Sequence, residues 1–132
     1  MADVFKLKVV TPERIFYEGE AGMVELSTTE GDIGVYANHI PMTAIVAPGV
    51  LKIHEGSQVR KAALHAGFIQ VLAEEITIMA EVVEWPDEID IKRAEEARVR
   101  AERRLKDNQT EIDVLRAKMA LRRALTRLSA RQ

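Results

Sequence analysis

The chain has 132 residues, 47% of them hydrophobic and 30% charged, with no cysteine and a formal net charge of −2. That is the composition of a folded globular protein, and it excludes disulfides, thiolate nucleophiles and cysteine-ligated metals. No run of about 18 apolar residues is free of charge, so no membrane insertion is expected, and the opening Met1-Ala2-Asp3-Val4-Phe5-Lys6 lacks the basic-then-apolar order of a secretory leader; a cytosolic chain fits.

In chain order, the first predicted strand is Val4 to Val10, where Phe5, Leu7 and Val9 alternate with Lys6 and Lys8 until Thr11-Pro12-Glu13 breaks the pattern. Further β-type runs are Met23 to Leu26, Val50 to His54, Val59 to Leu64, Phe68 to Leu72 and Ile76 to Val83. Glu30-Gly31-Asp32, Pro48-Gly49, Glu55-Gly56 and Ala66-Gly67 read as turns. Short strands at this spacing predict a sandwich or flattened barrel over residues 1–86.

Past Trp85-Pro86-Asp87 the chemistry changes. Residues 1–87 hold 6 Lys/Arg against 13 Asp/Glu, whereas residues 88–132 hold 13 against 8 and contain no Gly, Pro or aromatic residue. Asp87, Glu88 and Asp90 favour a helix N-terminus, and Arg103, Arg104 and Lys106 suit its last turn. Asp107-Asn108-Gln109 reads as a turn; Thr110 with Asp113 starts a second helix that runs to about Leu128. The short connection predicts an antiparallel hairpin over 87–132, so the fold class is α+β by domain. The packing faces are expected to be Ile91, Ala94, Ala97, Ala101 and Leu105 on the first helix, and Val114, Leu115, Leu121, Leu125 and Leu128 on the second. Alanines bury little area at ~25 cal/mol per Å², so the hairpin is expected to be marginally stable alone and suited to movement. The two helices echo one another at an offset of 23 residues (Glu88 to Ala94 against Glu111 to Ala117), which shared capping rules largely explain.

Catalytic patterns are absent. His39, His54 and His65 stand on separate segments without an i, i+4 partner; there is no Gly-x-Ser-x-Gly elbow or phosphate loop; Glu74 and Glu75 are adjacent and so point apart. The basic hairpin admits three readings: a solvated face with pairs such as Glu96–Arg100 and Glu102–Lys106, a nucleic-acid adaptor, or an arginine cluster for an acidic protein or a phosphorylated ligand. The hairpin has no aromatic side chain to stack on bases, which weighs against nucleic acid.

A set of motifs in fixed order carries a resemblance: Val9-Val10-Thr11-Pro12-Glu13, Glu30-Gly31-Asp32-Ile33-Gly34-Val35, Asn38-His39-Ile40-Pro41-Met42, Pro48-Gly49, Gly67-Phe68-Ile69-Gln70-Val71 and Ile89-Asp90-x-x-Arg93-Ala94. Together they resemble the epsilon subunits of bacterial-type (F-type) rotary ATP synthases over essentially the whole chain. Two places depart from that family: Asn38 stands where glycine is usual, and His65-Ala66-Gly67 where a Ser-Gly-Gly-like triplet is usual.

The resemblance implies a non-catalytic rotor subunit at the cytoplasmic face of a bacterial inner membrane. Its sandwich would meet the gamma subunit and the c-ring, with Glu30, Gly31 and Asp32 facing the ring and His39, Ile40, Pro41 and Met42 near gamma. Its hairpin would lie folded on the sandwich, or extend into the catalytic alpha/beta head and brake ATP hydrolysis. The resemblance implies no catalytic cofactor and no metal site, but a regulatory ATP on the folded form, held by Glu84, Ile89, Asp90, Arg93, Ala94, Arg100, Arg123 and Arg127, with Mg²⁺ left open. From the residues alone, Arg93, Arg100, Arg123 and Arg127 are able to converge across an antiparallel pair. Asp90 has two readings, helix capping or anchoring an arginine or an adenine amino group, and Arg123 reads equally as a solvated charge. The alternative function is a free-standing basic-hairpin adaptor for nucleic acid.

Overall fold

The computed structural model describes residues 3–107 and 110–132. Eight strands precede two helices: β1 Phe5–Val10, β2 Ile15–Ala21, β3 Met23–Thr28, β4 Gly31–Tyr36, β5 Met42–Val46, β6 Gly49–Glu55, β7 Gln58–Val71 and β8 Glu75–Glu84, then a single 3-10 turn Pro86–Glu88, α1 Ile91–Asp107 and α2 Glu111–Arg131. The strands form one folded-over sheet in the order β2-β1-β8-β7-β5-β3-β4, with β6 pairing both β3 and β7. All pairings are antiparallel except β1 with β8. The expected sandwich and hairpin are both present.

Alternation builds the core. Phe5, Leu7 and Val9 of β1 are 1% exposed or less, and Leu51, Ile53, Ile69, Val71, Ile76 and Ile78 join them from β6, β7 and β8. Strands β2, β4 and β5 have no counterpart among the predicted runs. The expected turn at Ala66-Gly67 is instead the corner of one 14-residue strand: β7 pairs with β6 up to Leu64 and with β5 from Gly67. Ala66 has φ +32° and Gly67 φ +147°, and a Cβ on Gly67 would lie 2.0 Å from the Met79 carbonyl oxygen. Only glycine permits that approach. Asn38 takes φ +63°, a left-handed conformation that asparagine tolerates.

The boundary segment is anchored to the sandwich. Trp85 stacks on Phe16 at 4.2 Å between ring centroids, and the Arg60 guanidinium lies 4.1 Å from the Trp85 ring centroid. Arg14 donates to both Glu88 oxygens at 2.9 Å, and Glu88 also accepts from the Trp85 backbone N–H. Asp87 and Glu88 therefore belong to the 3-10 turn and not to the first helix. Helix α1 starts after Asp90, whose Oδ1 accepts from the Arg93 backbone N–H at 3.1 Å. Thr110 caps α2 by accepting from the Asp113 N–H at 3.0 Å, and α2 continues three residues past Leu128.

The helices pack on each other, and α2, rather than α1, lies against β6, β7 and the 3-10 turn. The buried residues of the pair are Ala94 and Ala101 on α1 with Ala117, Ala124, Thr126 and Ala130 on α2. Leu115 and Leu125, expected in the interface, are exposed. The reason is angular: at 100° per residue, Leu115 lies on the face opposite the α1-facing stripe of Ala117 and Ala124, and Leu125 lies to one side of it. Among the described residues the ion pairs of α1 are Arg98 with Glu95 and with Glu102, in place of the expected Glu96–Arg100 and Glu102–Lys106. Asn108 and Gln109 of the expected turn lie outside the described residues. No described helix is long and apolar enough to cross a membrane.

Candidate functional site

A cleft of about 430 Å³ opens where the two helices meet the end of β8. It forms because the helix interface is built from alanines. Ala94 and Ala97 on α1 and Ala120 and Ala124 on α2 leave a groove that larger side chains would fill. Charged side chains rim the groove: Arg93 and Arg100 from α1, Arg123 and Arg127 from α2, Glu84 from β8, Glu88 from the 3-10 turn, and Asp90 at the α1 cap. The i, i+7 spacing of Arg93 and Arg100, and the i, i+4 spacing of Arg123 and Arg127, put each pair on one helix face.

The acids in this cleft are already engaged. Glu84 accepts from Arg127 Nε at 2.7 Å, Glu88 is held by Arg14, and Asp90 caps α1. The Arg14 guanidinium and the Trp85 N–H keep the Glu88 carboxyl below the usual carboxylate range. Arg93, Arg100 and Arg123 form no ion pair among the described residues. The cleft thus presents three uncommitted guanidinium groups over a floor of methyl groups. Such a set fits a ligand with several phosphate oxygens, which guanidinium forks bind in pairs. Among the described residues no group of three or more His, Asp or Glu side chains is placed to hold a metal.

Of the eight residues that the resemblance assigns to a regulatory ATP, seven lie together along this cleft: Glu84, Asp90, Arg93, Ala94, Arg100, Arg123 and Arg127. Ile89 does not. Its side chain is 5% exposed and packs with Ala63 of β7 and Ala130 of α2, with Val50 against them, so it plugs a small second core under the hairpin. For Asp90 the capping reading is the observed contact. Glu88, Ala97, Ala120 and Ala124 also line the cleft; the alanine spacing was the available signal for the last three.

The other expected site residues fall on the sandwich. Glu30 lies in the β3–β4 turn, where Thr28 Oγ1 donates to the Gly31 carbonyl at 2.7 Å and Ser27 Oγ to Asp32 at 2.7 Å. All three of Glu30, Gly31 and Asp32 are exposed. The stretch from His39 to Met42 enters β5; Ile40 is 75% exposed, whereas Met42 packs against the core. One feature of this side had no sequence signal: Ile45, Phe68 and Met79, opposite one another on β5, β7 and β8, form an exposed apolar row.

Comparison with known proteins follows these two parts. Residues 4–86 match the family model for the β-sandwich domain of the ATP synthase delta/epsilon chain, and residues 87–132 match that for its long α-helix domain. The ATP synthase epsilon chain of Clostridium novyi is 46% identical over 129 residues, covering 97% of this chain and 98% of that one. The epsilon chain of Alkaliphilus oremlandii is 50% identical over 111 residues, 84% of this chain and 83% of its own. In fold, the chain superposes with a TM-score of 0.85 on a chain of the Euglena gracilis mitochondrial ATP synthase (20% identity, 98% of this chain and 82% of that chain). A chain of the Tetrahymena thermophila mitochondrial ATP synthase central stalk and c-ring gives 0.65 at 18% identity, covering 97% and 96%. On its domains and its relatives together, the chain belongs to the ATP synthase delta/epsilon family.

Proposed function

We propose that this chain is the non-catalytic epsilon subunit of a bacterial rotary ATP synthase, seated in the central stalk at the cytoplasmic face of the inner membrane, and that its hairpin is a nucleotide-responsive brake. The sandwich joins gamma to the c-ring. The Glu30–Asp32 turn offers exposed polar groups to the ring, while Ile40 and the apolar row Ile45, Phe68 and Met79 offer gamma a surface that gains by leaving water. The docked hairpin holds ATP in the arginine cleft. An undocked hairpin, released from α2's contacts with the sandwich, reaches into the alpha/beta head and slows hydrolysis. ATP favours docking only through its greater affinity for the docked form.

The observation that carries this reading is the trio Arg93, Arg100 and Arg123, uncommitted to any carboxylate, around an alanine-floored groove. The adaptor reading has weaker support. It explains the basic charge but not the cleft, and the family's two domains run the length of the hairpin as well as the sandwich.

Calorimetric titration of the whole chain with ATP, using GTP and Arg93→Ala as comparisons, tests the cleft. Saturable ATP binding that weakens at least tenfold in Arg93→Ala is expected; no heat at millimolar ATP would remove the nucleotide from the account. The brake is tested separately, by reconstituting the ATPase with a chain lacking residues 88–132. Faster hydrolysis is expected, and an unchanged rate would sink the brake. A salt series with DNA and RNA tests the adaptor, whose binding would fall steeply as salt rises.

A further inference from the structure

His65 is the one histidine of the three that the fold buries, at 3% exposure, and neither ring nitrogen has a hydrogen-bond partner among the described residues. It lies on β7 on the same face as Ala63, two residues away, and Ala63 is in the small core that Ala130 of α2 covers. The hairpin therefore helps to seal it. Its Nε2 is 3.5 Å from Glu84 Oε1, and the same oxygen accepts from Arg127 of α2 at 2.7 Å. One carboxylate is thus flanked by a sandwich histidine and a hairpin arginine.

We propose that His65 is a proton-operated release for the hairpin: neutral beneath docked α2, it takes up a proton once α2 leaves, so that acid favours the undocked state. The inference rests on the reading that the hairpin undocks. In the docked form, an imidazolium at this site would be dehydrated and would meet the positive charges of Arg127 and Arg123. Burial, then Arg127, lowers the His65 pKa to about 4 against the opposing pull of Glu84. When α2 departs, both arginines go with it and water reaches the ring. Glu84 then exchanges Arg127 for the imidazolium as its partner. The cross-strand neighbours are not titratable: Val82 pairs with His65 on β8, Gly49 and Val50 of β6 pair with Leu64 and Ala63, and Val46 of β5 pairs with Gly67. The further α2 charge on this side is Arg122, whose guanidinium donates to the Pro48 carbonyl and also leaves with α2. Glu88, on the 3-10 turn, is held by Arg14.

The sign follows from the two states. The folded, docked pKa is depressed, and protonation belongs to the undocked form. Undocked, with Glu84 as its partner, the ring titrates above the ordinary histidine value of about 6.5, and only above that point are both states neutral and docking insensitive to pH. Between there and about pH 4 the docked form loses up to about tenfold in its equilibrium constant per pH unit. Below that both states are protonated and the effect saturates.

The chain has no native cysteine, so two dyes can be placed at Ser57→Cys in the β6–β7 turn and Lys118→Cys on α2. Single-molecule energy transfer then counts docked and undocked chains, with and without ATP, from pH 7.5 to 5.5. In the full-length chain the docking constant is expected to fall about tenfold over that range. It should stay flat in His65→Gln and in His65→Ser, two variants of different size in case one packs poorly. NMR titration of the His65 ring should give a pKa well below that of an exposed histidine. An unchanged docking constant in the parent chain, an equal fall in both variants, or a ring that titrates near pH 6.5 while docked would overturn the proposal. Docking that responds to ATP but not to pH would overturn the proton release alone. A single docked population under every condition would overturn both the release and the mobile hairpin.

Discussion

Leu51, Ile53, Ile69 and Ile78 in the sandwich and Ala94, Ala101, Ala117 and Ala124 in the hairpin are all 4% exposed or less, yet they hold their regions together with different strength. A fully buried leucine or isoleucine contributes roughly 1.5–3 kcal/mol, whereas an alanine adds about one methyl group, near 0.8 kcal/mol. The sandwich is held by bulk. The hairpin is held by close backbone approach and by a line of arginines on α2: Arg122 donates to the Pro48 carbonyl at 3.0 Å, Arg127 to Glu84, and Arg131 to the Pro86 carbonyl at 2.8 Å. These polar anchors are recovered by water when α2 lifts away, so their net contribution to docking is small. The difference separates a firmly packed body from a lightly held one, and it is what the proposed division into coupling piece and brake requires.

Two substitutions would break that contrast most sharply. Leu51→Ala, at a position with no exposure, should cost about 2–5 kcal/mol and lower the urea midpoint of the strand signal. Ala124→Leu pushes three extra carbons into the helix interface and should cost about 1–3 kcal/mol. That cost should appear as loss of helix docking, measured by amide exchange in α1 and α2, with the midpoint of the strand signal unmoved. If Ala124→Leu shifts the sandwich midpoint as far as the helices, the two regions unfold as one unit and the contrast fails.

How much of this was legible in the sequence depended on whether one local rule acted alone. Strand β1 was readable because Phe5, Leu7 and Val9 alternate with lysines over a stretch that one face buries. Strand β4 was not, because Gly31, Asp32 and Gly34 are poor strand formers that the pairing with β3 overrides. The dipeptide Ala66-Gly67 has turn chemistry, and it does carry left-handed backbone, but cross-strand pairing on both sides turns it into a corner within β7. On α1 the alanine face was readable, and Ala94 and Ala101 are buried; on α2 hydrophobicity suggested leucines, whereas close helix packing selects Ala117 and Ala124 and leaves Leu115 and Leu125 outside. The cleft was legible in its arginines because helical spacing fixes their faces. Ile89 was not, because neighbouring a motif in sequence says nothing about pointing the same way: between the 3-10 turn and α1 the chain turns its side chain toward Ala63 and Ala130.

The smaller effects sharpen the contrast within the hairpin itself. Thr110→Ala removes the α2 cap and should cost about 1 kcal/mol, seen as faster amide exchange in the first turn of α2, with the Arg127–Glu84 end unaffected. Arg98→Ala should do less. Its partners Glu95 and Glu102 lie on the same helix, one turn away on either side, so the pairs join no other element, and exposed pairs of this kind are screened by salt. No change in melting temperature is expected for Arg98→Ala, and the same should hold from low to high salt. A shift as large as that of Thr110→Ala would mean that the outer face of α1 takes part in holding the hairpin down, and the alanine seam with its arginine anchors would no longer suffice to explain docking.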